Sequence, residues 1–312
     1  MHVGRYAPSP TGELHLGNAR TALAAWLWAR ATGGRFLLRF EDLDVGRVRA
    51  GIAARQAKDL RWLGLDWDGD PSFQHDRLAL YADAIARLEA SGLTYPCFCS
   101  RADIRAAAAP HGDEGPVYAG TCSSIPSAHA TARLAAGEPA ALRLRLDGAI
   151  DWHDEICGPQ REDLVSQCGD IVIRRRDGVI AYQLAVVVDD HAQGVTHVLR
   201  GDDLLGSTAR QLRLRALLGL APAPAHAHVP LLLGPDGARL AKRDAAPTLG
   251  EARAARADPR AIVGWLACSA GLLAGRRDAS PDELVPAFAL DKITRRSTTV
   301  RSSEPWSGSG SC

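Results

Sequence analysis

Arg5-Tyr6-Ala7-Pro8-Ser9-Pro10-Thr11-Gly12-Glu13-Leu14-His15-Leu16-Gly17-Asn18 runs from a strand end through a Pro- and Gly-rich turn into a helix start. Val3 to Ala7 reads as a short strand, and a helix pattern follows from about Asn18 to Arg30, with Leu23, Leu27, Trp26 and Trp28 supplying bulk. A strand that turns directly into a helix sets small residues and backbone N–H groups at the helix N-terminus, where the dipole favours phosphate. Gly12 and Gly17 leave room for a nucleotide, and His15 can donate to a phosphate oxygen. The spacing is not the GxGxxG of a dinucleotide site, and no P-loop lysine follows. On its own, His15 is as readily an ordinary loop histidine.

Working outward, Arg35 to Phe40 alternates as a second strand, and amphipathic helices follow at Ile52 to Leu63 and Arg77 to Ser91. This strand–helix order predicts an α/β fold: a Rossmann-like parallel sheet with flanking helices, its first half in residues 1–94. Residues 95–167 change texture to Cys, Pro, Gly, Ser and Ala, with one clear strand at Ala141 to Leu146, and read as a metal-bearing insertion outside the sheet. The sheet is expected to resume across residues 168–235. Asp170 to Arg174 and Val195 to Leu199 read as strands, Gln183 to Val188 as a strand covered on both faces, and Ser207 to Leu218 as a helix. Residues 236–312 read as a basic loop, a helix at Pro259 to Leu272 and a Ser/Gly-rich tail, Ser302 to Cys312, expected to be disordered.

The 312 residues are 46% hydrophobic and 23% charged, with a formal net charge of +1, an ordinary soluble composition. No global basic field advertises a nucleic-acid partner, which counts mildly against RNA binding, although a local basic stripe would serve as well. The longest apolar stretch, Ala261 to Gly275, is too short to span a bilayer, and the N-terminus lacks the apolar core of a signal peptide. Seven unevenly spaced cysteines suit a reducing compartment, and a cytoplasmic location is expected. Cys97, Cys99 and Cys122 can converge on a tetrahedral ion. From donor chemistry alone, His111 and His129 are better candidates for a fourth ligand than Tyr118.

Far downstream, Arg239-Leu240-Ala241-Lys242-Arg243 follows Gly234-Pro235-Asp236-Gly237, a basic loop able to close over a triphosphate. Together with His15-Leu16-Gly17-Asn18 it resembles the paired signatures of the class I aminoacyl-tRNA synthetases, His-x-Gly-His and Lys-Met-Ser-Lys-Ser. Asn18 replaces the second His, Arg239 the first Lys and Ala241 the first Ser, while Lys242 is kept. Arg5 to Gly12, Leu38 to Asp44 and Tyr182 to Gly201 resemble the glutamyl and glutaminyl branch in particular. The resemblance implies glutamate as substrate, its carboxylates held by Arg5 and Arg200 and its ammonium by Glu41. Tyr182 would bound the pocket, and Ala7 and Ser9 would add backbone contacts. His15, Gly17, Asn18 and Lys242 would bind ATP with Mg2+, and His15, Gly17, Arg239 and Lys242 would stabilise the departing pyrophosphate. The α-carboxylate is already ionised, so no general base is needed.

Cys97-x-Cys99 followed by Tyr118-x-x-x-Cys122 resembles the small glutamyl-synthetase paralogues that glutamylate queuosine in the anticodon of tRNA(Asp). That resemblance makes Tyr118 the fourth ligand of one structural zinc. About 66 residues follow Ala246, fewer than a helical anticodon-binding region takes. The expected partners are therefore glutamate, ATP and the anticodon stem-loop of tRNA(Asp), met by a monomer, with Arg295, Arg296 and Arg301 as local RNA contacts. Two other readings stay open: a shortened enzyme charging the 3′ end of tRNA(Glu), and a non-catalytic module that binds glutamate or zinc.

Overall fold

The computed structural model describes residues 1–100, 102–104, 117–238, 240 and 248–300. The first strand, β1 (Val3–Tyr6), runs into helix α1 (Leu16–Ala31), and β2 (Arg35–Phe40) pairs parallel to β1 with Arg5 opposite Leu37. Helix α1 is buried nearly all round through Leu16, Ala19, Leu23, Trp26 and Leu27, so it acts as a core element rather than a surface one. Helix α2 (Ile52–Trp62), strand β3 (Ser72–Phe73), parallel to β2, and helix α3 (Leu78–Ala90) complete this half.

The chain then forms β4 (Thr94–Cys97), helix α4 (Ser127–Ala135) and β5 (Ala141–Leu144), followed by the antiparallel hairpin β6 (Ala149–Asp154) and β7 (Gly158–Asp163). Next come β8 (Ile171–Arg174), helix α5 (Tyr182–Ala192), β9 (His197–Gly201), helix α6 (Ser207–Leu217), β10 (Ala225–Val229) and β11 (Leu232–Leu233). Helices α7 (Leu249–Ala254) and α8 (Pro259–Ser269) and strand β12 (Thr298–Thr299), parallel to β11, close the described chain.

Strand β9 pairs parallel to β10, and β10 parallel to β6. The two parallel groups meet at β1 and β9: the Val3 N–H donates to Thr196 Oγ1 at 2.8 Å and the Thr196 N–H to the Val3 carbonyl at 2.9 Å. The spatial order is thus β3-β2-β1-β9-β10-β6, a doubly wound arrangement whose order reverses between β1 and β9. Ligands of open α/β sheets bind at the strands' carboxyl ends beside such a reversal.

Three expectations are corrected. Gln183 to Val188 is part of helix α5, not a strand. A short apolar run cannot separate the two by periodicity, and here its end decides. Asp189 and Asp190 both reach Arg39, at 3.7 and 2.8 Å, whereas consecutive residues of a strand point to opposite faces. Asp170 to Arg174 does not resume the parallel sheet, because β8 pairs antiparallel with β5, which also pairs antiparallel with β4. Between residues 95 and 167 there is more than one strand, and β6 joins the parallel sheet through the pair His226 and Asp154. Arg239, Lys242, Arg243, His111, Arg301 and the tail Ser302 to Cys312 lie outside the described residues.

Candidate active site and metal centre

The carboxyl ends of β1, β2 and β9 deliver Arg5, Glu41 and Arg200 to one cleft of about 510 Å³, which the start of α5 bounds with Tyr182. Ala7, Ser9, His15, Gly17 and Asn18 line the same cleft. Every described residue expected to hold glutamate or ATP is therefore in one place. Arg39, which the sequence did not single out, organises the floor. It is fully buried and contacts Asp189, Asp190 and Glu41, with Arg77 and Tyr81 also on Asp189 at 2.6 and 2.8 Å. Arg5 Nε reaches Asp190 at 3.4 Å.

These charges set the electrostatics. Burial pushes the Glu41 carboxyl up to about 7, although Arg39 and Arg5 pull the other way. Burial also raises Asp190, but there Arg5 and Arg39 outweigh it and hold the carboxyl below its ordinary value. Desolvation lowers the Arg200 guanidinium and raises the Tyr182 phenol. Arg200 is held by Nε to His228 at 2.9 Å, Nη1 to Gln211 at 2.8 Å, and Nη2 to Thr208 and the Leu204 carbonyl at 2.9 and 3.2 Å.

His15, which lines the same cleft, is the N-cap of α1. Its Nδ1 accepts from the Gly17 and Asn18 N–H groups at 3.1 and 3.4 Å, and Asn18 Oδ1 accepts from the His15 N–H at 3.2 Å. This reciprocal cap gives a physical reason for Asn18 in place of a second His. An accepting Nδ1 puts the ring proton on Nε2. The room at Gly17, expected for the nucleotide, is used by the histidine: a Cβ there would stand 3.0 Å from the His15 ring.

Cys97 at the end of β4, Cys99 and Cys122 bring their sulfurs within 4.8 Å of one another, and Cys99 and Cys122 are 3.5 Å apart. Zinc–sulfur bonds of about 2.3 Å set the sulfurs of a tetrahedron about 3.8 Å apart, so the cluster fits such an ion. Tyr118 Oη lies 3.4 Å from Cys97 Sγ and accepts from the Cys122 N–H at 2.8 Å, which sets the phenol beside the three sulfurs. His129 is exposed on α4 and is not among the clustered residues. Missed entirely by the sequence reading is Gly169, where a Cβ would meet the Tyr118 carbonyl at 2.5 Å.

A doubly wound sheet, a histidine-capped first helix and a cation-lined cleft at the strand reversal define a class I synthetase catalytic core. The family model for class I tRNA synthetases (E and Q), catalytic domain, matches residues 2–273, and the chain belongs to that family. A Glutamyl-Q tRNA(Asp) synthetase of Symbiobacterium thermophilum is 53% identical, with 96% of each chain covered. One of Nocardia farcinica is 52% identical over 97% of this chain and 92% of its own. Among solved structures, a glutamate tRNA ligase from Elizabethkingia meningosepticum, in complex with its amino acid, superposes with a TM-score of 0.83 at 28% identity. That match covers 98% of this chain and 68% of the ligase.

Proposed function

We propose that this chain joins glutamate to ATP without a tRNA, releasing pyrophosphate, and passes the glutamyl group to queuosine in the anticodon of tRNA(Asp). The observation that carries the reading is the convergence of Arg5, Glu41 and Arg200 from three strand ends on one cleft beside the His15 cap. Two cations suit a dicarboxylate and one carboxylate suits its ammonium. Tyr182, Ala7 and Ser9 close the amino-acid pocket. An oxygen of the substrate α-carboxylate attacks the α-phosphorus, and pyrophosphate leaves. His15 Nε2–H, Asn18, Lys242 and Arg239 bear the phosphate charge, Gly17 makes room for the His15 ring that does so, and Mg2+ carried by the nucleotide would supply further neutralisation. A hydroxyl of the queuosine cyclopentenediol then attacks the acyl carbonyl and AMP departs.

Cys97, Cys99, Tyr118 and Cys122 hold one structural zinc in this reading, within an insertion of the catalytic domain. The names of the relatives at 52–53% identity support queuosine as acceptor. A cytoplasmic monomer belongs to the same reading. Among the described residues no helix is long and apolar enough to cross a membrane.

The test is glutamylation of purified tRNA(Asp) with and without queuosine. Label confined to the queuosine-bearing tRNA is expected. Label on the terminal adenosine of tRNA(Glu) overturns the acceptor. Absence of glutamate-dependent ATP–pyrophosphate exchange overturns the activation step itself.

A further inference from the structure

Arg200 does not stand alone at the end of β9. Its Nε donates to His228 Nε2 at 2.9 Å, and His228 Nδ1 lies 2.6 Å from Asp154 Oδ2. Asp154 and His228 have no exposed side-chain surface, and Arg200 is buried too. Three neighbouring strands supply the row: Asp154 ends β6, His228 sits in β10 and Arg200 in β9 opposite His228. Asp154 is itself fixed, its Oδ1 accepting from the N–H groups of Ile156, Cys157 and His228 at 3.0, 2.7 and 3.2 Å.

The chemistry of the row permits one proton arrangement. An arginine Nε–H can only donate, so His228 Nε2 must offer a lone pair. The ring hydrogen then sits on Nδ1 and is given to Asp154. A second hydrogen on Nε2 would face the Arg200 Nε–H and expel the guanidinium from its seat. Burial lowers the basicity of His228, and the Asp154 bond raises it, with burial prevailing. The neutral ring is thereby kept where the Arg200 bond requires it. Thr208 Oγ1, 3.3 Å from His228 Nε2 and 2.9 Å from Arg200 Nη2, braces the same corner.

We propose that His228, clamped by Asp154, is a positioning residue that aims the Arg200 guanidinium at a carboxylate of the amino-acid substrate. The inference rests on the reading of Arg200 as a glutamate-binding residue. It makes the amino-acid pocket depend on two residues that do not line it. In the same reading ATP is held by His15, Gly17 and Asn18 rather than by Arg200, so the effect is confined to glutamate.

Two replacements separate the two ends of the ring. The amide oxygen of His228→Gln reaches the Nε2 position and still accepts from Arg200, whereas the shorter His228→Asn keeps the Asp154 bond and leaves Arg200 Nε without an acceptor. The Michaelis constant for glutamate in ATP–pyrophosphate exchange is expected to rise roughly tenfold more in His228→Asn than in His228→Gln, with that for ATP moved far less in both. Equal losses for glutamate, or equal shifts for both substrates, overturn the proposal. A readout on the unmutated protein does not depend on variants folding. 15N NMR of histidine-labelled enzyme should show His228 neutral with its proton on Nδ1; an Nε2–H or a doubly protonated ring near neutral pH overturns it. If the unmutated enzyme shows no glutamate-dependent exchange, the reading of the pocket fails, whatever the tautomer.

Discussion

His15 and Thr248 form an isolated antiparallel bridge, and the Leu249 N–H donates to the Leu14 carbonyl at 2.8 Å. Thr248, five residues beyond the basic segment Arg239 to Arg243, is thus tied by its backbone to the residue that caps α1. Thr248 also caps α7, through Oγ1 to the Glu251 N–H at 3.2 Å, and its hydroxyl lies 3.2 Å from Glu13 Oε2. Thr248→Ala should therefore cost about 1 kcal/mol of stability from the lost cap. It should also slow exchange more than that destabilisation explains. Chemical denaturation beside exchange kinetics checks both, and an unchanged rate in a destabilised protein would show that the Thr248 hydroxyl has no role in turnover.

In the proposed reading Lys242 stands for the second lysine of the family's signature loop. Its charge is expected to matter only as negative charge builds on the leaving pyrophosphate, so removal should act on the rate rather than on the fold. Lys242→Ala should lower exchange turnover by roughly a hundredfold or more, with the thermal midpoint preserved. Near-normal turnover would remove Lys242 from the mechanism.

The sulfur cluster makes a separate prediction. Cys99→Ser should lower the zinc content of purified protein and its thermal midpoint together, because metal-binding energy is folding energy in a structural site. Tyr118→Phe should weaken zinc retention against a chelator while three sulfurs still hold the ion. Zinc stoichiometry by elemental analysis, unchanged in Cys99→Ser, would refute the centre, and unchanged retention against a chelator in Tyr118→Phe would remove the phenol from it.

What could be read from the sequence was what is local. Strand, turn and capped helix follow one another from Arg5 to Asn18, and the residues that line the cleft on that side were all visible. Cys97, Cys99 and Cys122 announced themselves by residue type. Val186 to Val188 misled because β-branched residues favour strands in general, while the helix is imposed by the buried partners of Asp189 and Asp190. Ile150 and Trp152 do alternate as strand residues should, yet the place of β6 in the parallel sheet depends on pairing with His226, distant in the chain. The row Asp154, His228 and Arg200 was invisible for the same reason. No spacing rule joins an aspartate and a histidine from separate strands, although two histidines in Ala225-His226-Ala227-His228 were a signal worth weighing.

Glu41 gives the pH dependence. Burial leaves its carboxyl with a value of about 7, so below that pH the group is mostly neutral and above it mostly charged. The ammonium of glutamate stays charged through this range, and it favours the charged carboxylate. Affinity for glutamate should therefore rise as pH climbs from 6 toward 7 and level off near 8, by at most about tenfold per unit. Below pH 7, binding should release a proton from Glu41, because the bound ammonium lowers the carboxyl's value. Burial holds the nearby His226 down at about 3, so it stays neutral throughout and cannot produce the same profile. Calorimetry in buffers of different ionisation enthalpy measures the released proton directly. Glu41→Gln should bind glutamate more weakly, with no pH dependence between 6 and 8. A profile that falls with rising pH, or one that survives in Glu41→Gln, would assign the titration to another group and leave Glu41 without the ammonium.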